Sequence, residues 1–292
     1  QERGYVASRQ IATTVYLACR LGKPVLVEGP AGVGKTELAK TTASLLDLPL
    51  IRLQCYEGLD ESKALYEWKY GKQLLYTQLL KDKLDSIIER ENGFSESIKK
   101  LHRYDDIFFS PHFLEPRPLM KALQQEQGAV LLVDEIDKSD DEFEAFLLEI
   151  LSDFQISIPE IGTVEARVKP FVFLTSNNTR ELGEALKRRC LHLFIPYPDA
   201  ELERSIVTIR APELSPTLKG QLVAFIQAVR KLDIRKAPSI SETIDWARVL
   251  LVLHAQHLDN DMVRDTLNVF LKYEEDIAYV ADRLPELTRR AI

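Results

Sequence analysis

Cysteine is scarce in this chain. Its 292 residues include three, Cys19, Cys55 and Cys190, too far apart to make a C-x-x-C pair. An odd, scattered set argues against a disulfide framework and against a cysteine metal site. It predicts reduced, buried thiols in a cytoplasmic protein. Long hydrophobic runs are also missing. Even Val249-Leu250-Leu251-Val252-Leu253 falls far short of the ~20 apolar residues of a membrane-spanning helix. No integral membrane segment and no signal peptide is therefore expected. The chain begins at Gln1 rather than Met, so a few residues are expected to precede it. Excess positive charge is absent as well: 38 Lys and Arg against 45 Asp and Glu give a net charge of −7. That argues against a protein built mainly to grip nucleic acid. There are no internal repeats and no low-complexity tracts, which excludes a solenoid. What remains, 45% hydrophobic and 28% charged, is a globular composition with room for one large domain or two smaller ones.

The most informative stretch is Gly29-Pro30-Ala31-Gly32-Val33-Gly34-Lys35-Thr36, which fits the phosphate-binding pattern G-x-x-x-x-G-K-[ST] at every fixed position. Glycines let the backbone wrap an anion so that main-chain N–H groups face the phosphates. Lys35 is placed to neutralise the β- and γ-phosphates, and the Thr36 hydroxyl to ligate Mg²⁺. An apolar strand pattern, Pro24 to Glu28, precedes the loop. A helical pattern from Glu37 to Leu46 follows it, so a helix N-terminus also faces the anion.

Four more apolar runs read as strands: 48–53, 128–133, 171–176 and 191–195. Helical patterns lie between them, including 8–21 with Ile11, Val15, Ala18 and Leu21 on one face. Continuous apolar strands alternating with helices predict an α/β fold with a mostly parallel sheet sandwiched by helices. After Pro196-Tyr197-Pro198 only helical periodicity continues, as in Leu218, Leu222, Phe225, Ile226 and Val229. The predicted organisation is an α/β core over 1–197 and a smaller all-helical domain over 198–292. Two stretches exceed a minimal core. Residues 57–115 form an insertion with an aromatic part (Tyr56, Tyr66, Trp68, Tyr70, Tyr76). Its charged helical part, Leu79 to Glu91, has Leu80, Leu84, Ile87 and Ile88 on one face. That face either packs on the protein's own core or serves a partner or a pore. Residues 154–169 read as a projecting β-hairpin with its turn near Gly162.

The chemistry follows from strand ends. Val130 to Val133 lead into Asp134 and Glu135, one carboxylate for Mg²⁺ and one to polarise water, which means hydrolysis rather than binding alone. The acids beyond them (Asp137, Asp140, Asp141, Glu142, Glu144, Glu149) read as a solvated helix face. Thr175-Ser176-Asn177-Asn178 ends the fourth strand, and Asn177 is the candidate for orienting the attacking water. Lys187, Arg188 and Arg189 end a helix; beyond complementing its dipole, an exposed arginine here could enter a neighbouring subunit's site.

With these motifs in this order, the chain resembles an AAA+ ATPase, a P-loop NTPase core followed by a helical lid. The insertion and the hairpin resemble the helix-2-insert clade. The phrases Glu28 to Ala39 and Pro238-Ser239-Ile240-Ser241-Glu242 resemble its MoxR group, closest to the branch associated with maturation of molybdenum–copper carbon monoxide dehydrogenase. The resemblance implies ATP/ADP with Mg²⁺, hexameric rings with nucleotide at subunit interfaces, and chaperone-like remodelling of a metalloenzyme client. It also implies a partner carrying a von Willebrand factor A domain. By resemblance Asn177 matches sensor 1, Arg189 and next Arg188 match the arginine finger, and Tyr5, Val6 and Ala7 fall where the adenine-side segment lies; Glu37, directly after the loop, is a further cofactor-binding candidate. The sensor-2 arginine departs from the pattern: the matching position is Ser239, with Arg235 and Lys236 nearby, and the role is left unassigned. The competing readings are a nucleic-acid-linked AAA+ ATPase and a nucleotide-regulated scaffold with little turnover.

Overall fold

The structure is a computed structural model that describes residues 4–79, 110–159 and 161–291. Along the described chain α1 (Arg9–Leu21) leads into β1 (Val25–Glu28), α2 (Lys35–Leu46) and β2 (Leu50–Gln54). The insertion contributes α3 (Glu61–Ala64), β3 (Tyr66–Trp68), α4 (Tyr70–Leu79) and β4 (Leu114–Pro116). Next come α5 (Pro118–Leu123), β5 (Val130–Asp134), α6 (Asp141–Asp153), the strands β6 (Gln155–Ile158) and β7 (Gly162–Glu165), and β8 (Phe171–Ser176). A short α7 (Glu184–Arg189) precedes β9 (Leu191–Phe194). Six helices close the chain: α8 (Ala200–Arg210), α9 (Pro216–Val229), α10 (Ile240–Val252), α11 (Asn260–Phe270), α12 (Glu274–Ala281) and α13 (Leu284–Ala291).

Five strands pair in parallel in the order β2-β5-β8-β1-β9. Side chains alternate between the faces of a strand, so each apolar run feeds two cores. Val25, Val27, Val130, Leu132 and Phe173 face α1 and α2. Leu26, Leu131, Val133, Val172 and Leu174 face α5 and α6. Burial on both sides explains why these strands lack a polar alternation. The helices after β9 bury a core of their own, built on Leu222, Phe225, Trp246 and Phe270, with the last two rings 4.6 Å apart. Ser8, Asp140, Asp199, Ser215, Ser239 and Asp259 cap helices by accepting a backbone N–H of the first turn.

Sheet order and register set up the site. The chain runs outward from β1 to β2, whereas the chain arriving from β8 passes β1 to reach β9, so ligand-facing loops gather where the two directions part. Glu28 lies beside Ser176, and Gln54 beside Asp134, which levels the C-terminal ends of β1, β2, β5 and β8.

Several expectations are corrected. Cys19 is exposed on α1, because it lies off the face carrying Ile11 and Ala18; Cys55 and Cys190 are buried, and burial raises both thiols to about 12. Leu21, expected on the covered face, is 59% exposed at the helix end. Of the hairpin expected over 154–169, the strands span only Gln155–Ile158 and Gly162–Glu165. The hairpin expected to project packs one face on the core through Ile156 and Ile158, and the described part of the insertion packs there too: β3 pairs antiparallel with β4, and Trp68, Phe113 and Leu114 join the same core. The expected helical face of Leu80, Leu84, Ile87 and Ile88 lies outside the described residues.

Candidate functional site

The turn after β1 forms the loop read from the sequence. Gly29 has φ of 146°, and a Cβ there would lie 2.1 Å from the Ile195 carbonyl oxygen, so only glycine lets the loop start against the β9 end. No side chain caps α2, leaving its first N–H groups directed into the loop. Lys35 opens that helix and is buried. Its Nζ donates to the Gly29 and Pro30 carbonyls and to Asn177 Oδ1, each at 2.7 Å. Burial lowers its pKa, opposed by the charges of Asp137, Asp134 and Glu135.

Because β8 lies between β1 and β5, the Asn177 loop sits between the lysine and the acidic strand end. Asn177 therefore reaches both sides: its Nδ2 donates to Glu135 Oε1 at 3.3 Å. The buried Asp134 accepts from Thr175 and, at 3.2 Å, from Thr36 Oγ1. The Glu135 backbone is in the left-handed region at φ 58°, a costly conformation for a side-chain-bearing residue, and its N–H is held by Thr175 Oγ1 at 2.9 Å. Lys35, Thr36, Asp134, Glu135, Asn177 and the loop residue Ala31 line one cavity of about 240 Å³.

A second cavity, of about 280 Å³, meets the first at Gly32, Gly34, Glu37 and Ser241. Tyr5, Val6, Val33, Ile195, Ile206 and Ile244 give it apolar walls. Burial and then the Glu37 charge push the Tyr5 phenol up to about 12. An apolar slot beside a phosphate cradle suits a nucleobase and its ribose. The oxygen donors Thr36 and Asp134 suit Mg²⁺, which takes one or two protein oxygens and completes its shell with phosphate and water. Among the described residues no cluster of three or more His, Cys, Asp or Glu offers another metal site.

The C-terminal helices complete the walls. At Gly32 (φ 73°) a Cβ would lie 2.4 Å from Ser239 Oγ, and the Ser241 N–H donates to the Gly32 carbonyl at 3.3 Å. Ser239, the matching position for sensor 2, is the buried cap of α10, with a reciprocal bond to Glu242. Arg235 lies over the Tyr273 ring at 4.2 Å, and Lys236 pairs with Glu242 at 3.1 Å. Instead Arg210, paired with Glu37 at 2.6 Å, and Arg248 line the apolar cavity.

Arg188 and Arg189 are not brought to this site. Leu191 starts β9 beside Val25, at the opposite end of the sheet from Gly29. Arg189 is exposed there, donating to Ser152 Oγ at 3.0 Å. Two acids expected on a solvated face are buried. Asp137 accepts from the Asn177 N–H (3.2 Å), the Thr179 N–H (3.0 Å) and the Thr179 hydroxyl (2.6 Å). Burial would raise this carboxyl, but those bonds outweigh it and hold it below the usual range. Glu144 pairs with Arg180 and accepts from the Gly183 N–H at 2.9 Å. Asp140 caps α6, and Asp141, Glu142 and Glu149 are exposed as expected.

Sequence reasoning also missed Arg52 and Gln54. Arg52 Nη2 contacts Asp134 Oδ2 at 2.6 Å, and Gln54 Nε2 donates to Glu135 Oε2 at 2.8 Å. Their signal was the strand period: two residues apart near the end of a strand, they share a face.

The sequence profile of the AAA domain (dynein-related subfamily) matches residues 24–190. An uncharacterized protein of Staphylococcus epidermidis is 25% identical over 241 residues, covering 80% of this chain and 78% of that one. Among solved structures, domain III of the replication initiation protein DnaA from Thermotoga maritima aligns with a TM-score of 0.48 at 13% identity, covering 92% of this chain and 96% of that one. The RuvB Holliday junction branch migration motor of the same organism aligns with 0.46 at 18% identity, over 89% and 67%. The profile spans more than half of the chain, and this protein belongs to the AAA domain family, dynein-related subfamily, of AAA+ ATPases.

Proposed function

We propose that this protein hydrolyses ATP in a Mg²⁺-dependent reaction and uses the cycle to remodel a client protein, as a MoxR-type AAA+ chaperone. The observation that carries the ATPase reading is the convergence of Lys35, Thr36, Asp134, Glu135 and Asn177 on one cavity at the level ends of β1, β5 and β8. The loop backbone and Lys35 hold the β- and γ-phosphates, while Tyr5, Val6 and Glu37 border the base and ribose. When bound, Mg²⁺ supplies neutralisation of the phosphate oxygens, held through Thr36 and Asp134. Asn177 orients a water toward the γ-phosphorus, and Glu135 accepts its proton as the bond to ADP breaks.

Arg189 sits at the far end of the sheet, so it acts in a neighbour's site if the subunits form a ring, with Arg188 beside it. Residues 198–292 act as a lid through the Ser239–Ser241 docking on Gly32. The chaperone role, the hexamer, a von Willebrand factor A domain partner and a metalloenzyme client rest on the MoxR resemblance of the segments around Gly29 and Pro238. No described helix is long and apolar enough to cross a membrane, and the reading places the work on a cytoplasmic client.

The test is phosphate release from ATP by the purified chain, with and without Mg²⁺, beside Lys35→Ala. Mg²⁺-dependent release that the variant loses is expected. Absence of release across protein concentrations at which the chain assembles would overturn the reading.

A further inference from the structure

We infer that Arg52 is a displaceable counter-ion that competes with the divalent cation for Asp134. The inference rests on the ATPase reading above and concerns how its metal site is regulated.

The Asp134 carboxylate is crowded. Its Oδ1 takes the Thr175 hydroxyl, and Thr36 Oγ1 lies 3.2 Å from both oxygens. Its Oδ2 receives two nitrogens of the same guanidinium, Arg52 Nη2 at 2.6 Å and Nε at 3.0 Å. The arginine thus crowds the carboxylate that a cation on Thr36 and Asp134 would share. A guanidinium and a divalent cation at one carboxylate repel each other, and the doubly charged, oxygen-seeking ion is the stronger partner.

Arg52 is the member able to leave. Its side chain is 50% exposed on the edge strand β2, whereas that of Asp134 is 4% exposed. Water screens an ion pair that is open on one side, so the guanidinium loses little by turning into solvent.

The same guanidinium also donates from Nη2 to Gln54 Oε1. That bond fixes which way the amide faces, so Gln54 Nε2 points at Glu135 Oε2, 2.8 Å away. Asp134, Arg52, Gln54 and Glu135 therefore form one unbroken chain. The guanidinium is thus held at two points, the Asp134 carboxylate and the Gln54 amide oxygen.

The experiment is Mn²⁺ binding followed by electron paramagnetic resonance in the presence of ADP, for wild type, Arg52→Gln and Gln54→Leu. A coupling between two sites is commonly worth about tenfold in affinity. Arg52→Gln should therefore lower the half-saturating Mn²⁺ concentration by about tenfold. Gln54→Leu removes the second anchor of the guanidinium without touching the Asp134 carboxylate, and should shift the midpoint in the same direction by a smaller factor. Superimposable curves for all three proteins, or weaker Mn²⁺ binding by Arg52→Gln, would overturn this inference while leaving the ATPase reading intact. A wild-type chain that binds no ADP at any metal concentration overturns that reading, and this inference with it.

Discussion

Replacing Asp137 with alanine tests how a buried carboxylate outside the reacting set supports the chemistry. Asp137 Oδ2 accepts three hydrogen bonds, from the Asn177 N–H, the Thr179 N–H and the Thr179 hydroxyl, and so clamps the loop that carries Asn177. Each bond to a charged acceptor contributes ~1.5–3 kcal/mol, and truncation leaves the donors unsatisfied. Against that stands relief from burying a carboxylate whose Oδ1 has no hydrogen-bond partner. The net cost is about 3 kcal/mol, a large share of a typical ~5–15 kcal/mol of stability. At ~2–4 °C per kcal/mol this predicts a melting point lower by about 6–12 °C. The functional effect travels through Asn177, whose Oδ1 is 2.7 Å from Lys35 Nζ and whose Nδ2 is 3.3 Å from Glu135. A misplacement of ~1 Å there costs about a hundredfold in rate. ATPase assays on Asp137→Ala should show kcat down by about that factor with KM changed far less, because the loop backbone around Gly29 is untouched. Asp137→Asn, which keeps one acceptor, should fall between. If Asp137→Ala melts and turns over like wild type, the clamp has no role and the argument fails.

Gly32→Ala should block docking of α10, since its Cβ would lie 2.4 Å from Ser239 Oγ at a φ unfavourable to alanine; nucleotide affinity measured by calorimetry should fall by at least tenfold, about 1.4 kcal/mol. Glu242 is pushed up by burial but held lower by the Ser239 N–H and Lys236, so its folded pKa lies below the ordinary 4.5. Its contribution, about 1 kcal/mol for a cap of this kind, is present above that value and lost as pH falls through the lowered one. Wild type and Glu242→Gln should therefore differ in urea stability at pH 7 and converge in acid; an equal gap at both pH values would refute the assignment. Arg189→Ala should bind ATP yet lose ~10³–10⁵ in rate. Mixing it with inactive Glu135→Gln should restore activity at interfaces pairing an intact Glu135 with an intact Arg189, and no rescue in a mixed ring would place the arginine outside catalysis.

Much of the fold was legible because it is written locally. The strands Phe171–Ser176 and Val130–Asp134 announce themselves as apolar runs that two cores cover. The loop from Gly29 to Thr36 is legible because its glycines and lysine stand at fixed spacing within one short window. What was hidden depends on pairing across the sheet. Arg52 meets Asp134 only because β2 lies beside β5 with Gln54 opposite Asp134, and no local pattern encodes that register. Asp137 and Glu144 look like members of an acidic run. They are buried because the loop after β8 folds back over them, bringing Thr179, Arg180 and Gly183 as partners. The Ser239–Gly32 contact likewise joins residues more than two hundred positions apart, invisible to any window of sequence.

The most direct test of the central claim is Glu135→Gln, measured for bound nucleotide and for turnover in the same sample. An amide cannot accept the proton of the attacking water, whereas Lys35, Thr36 and Asp134 remain to hold the substrate. The account predicts nucleotide bound as in wild type and ATP left uncleaved with Mg²⁺ present. Hydrolysis at the wild-type rate by this variant would contradict it.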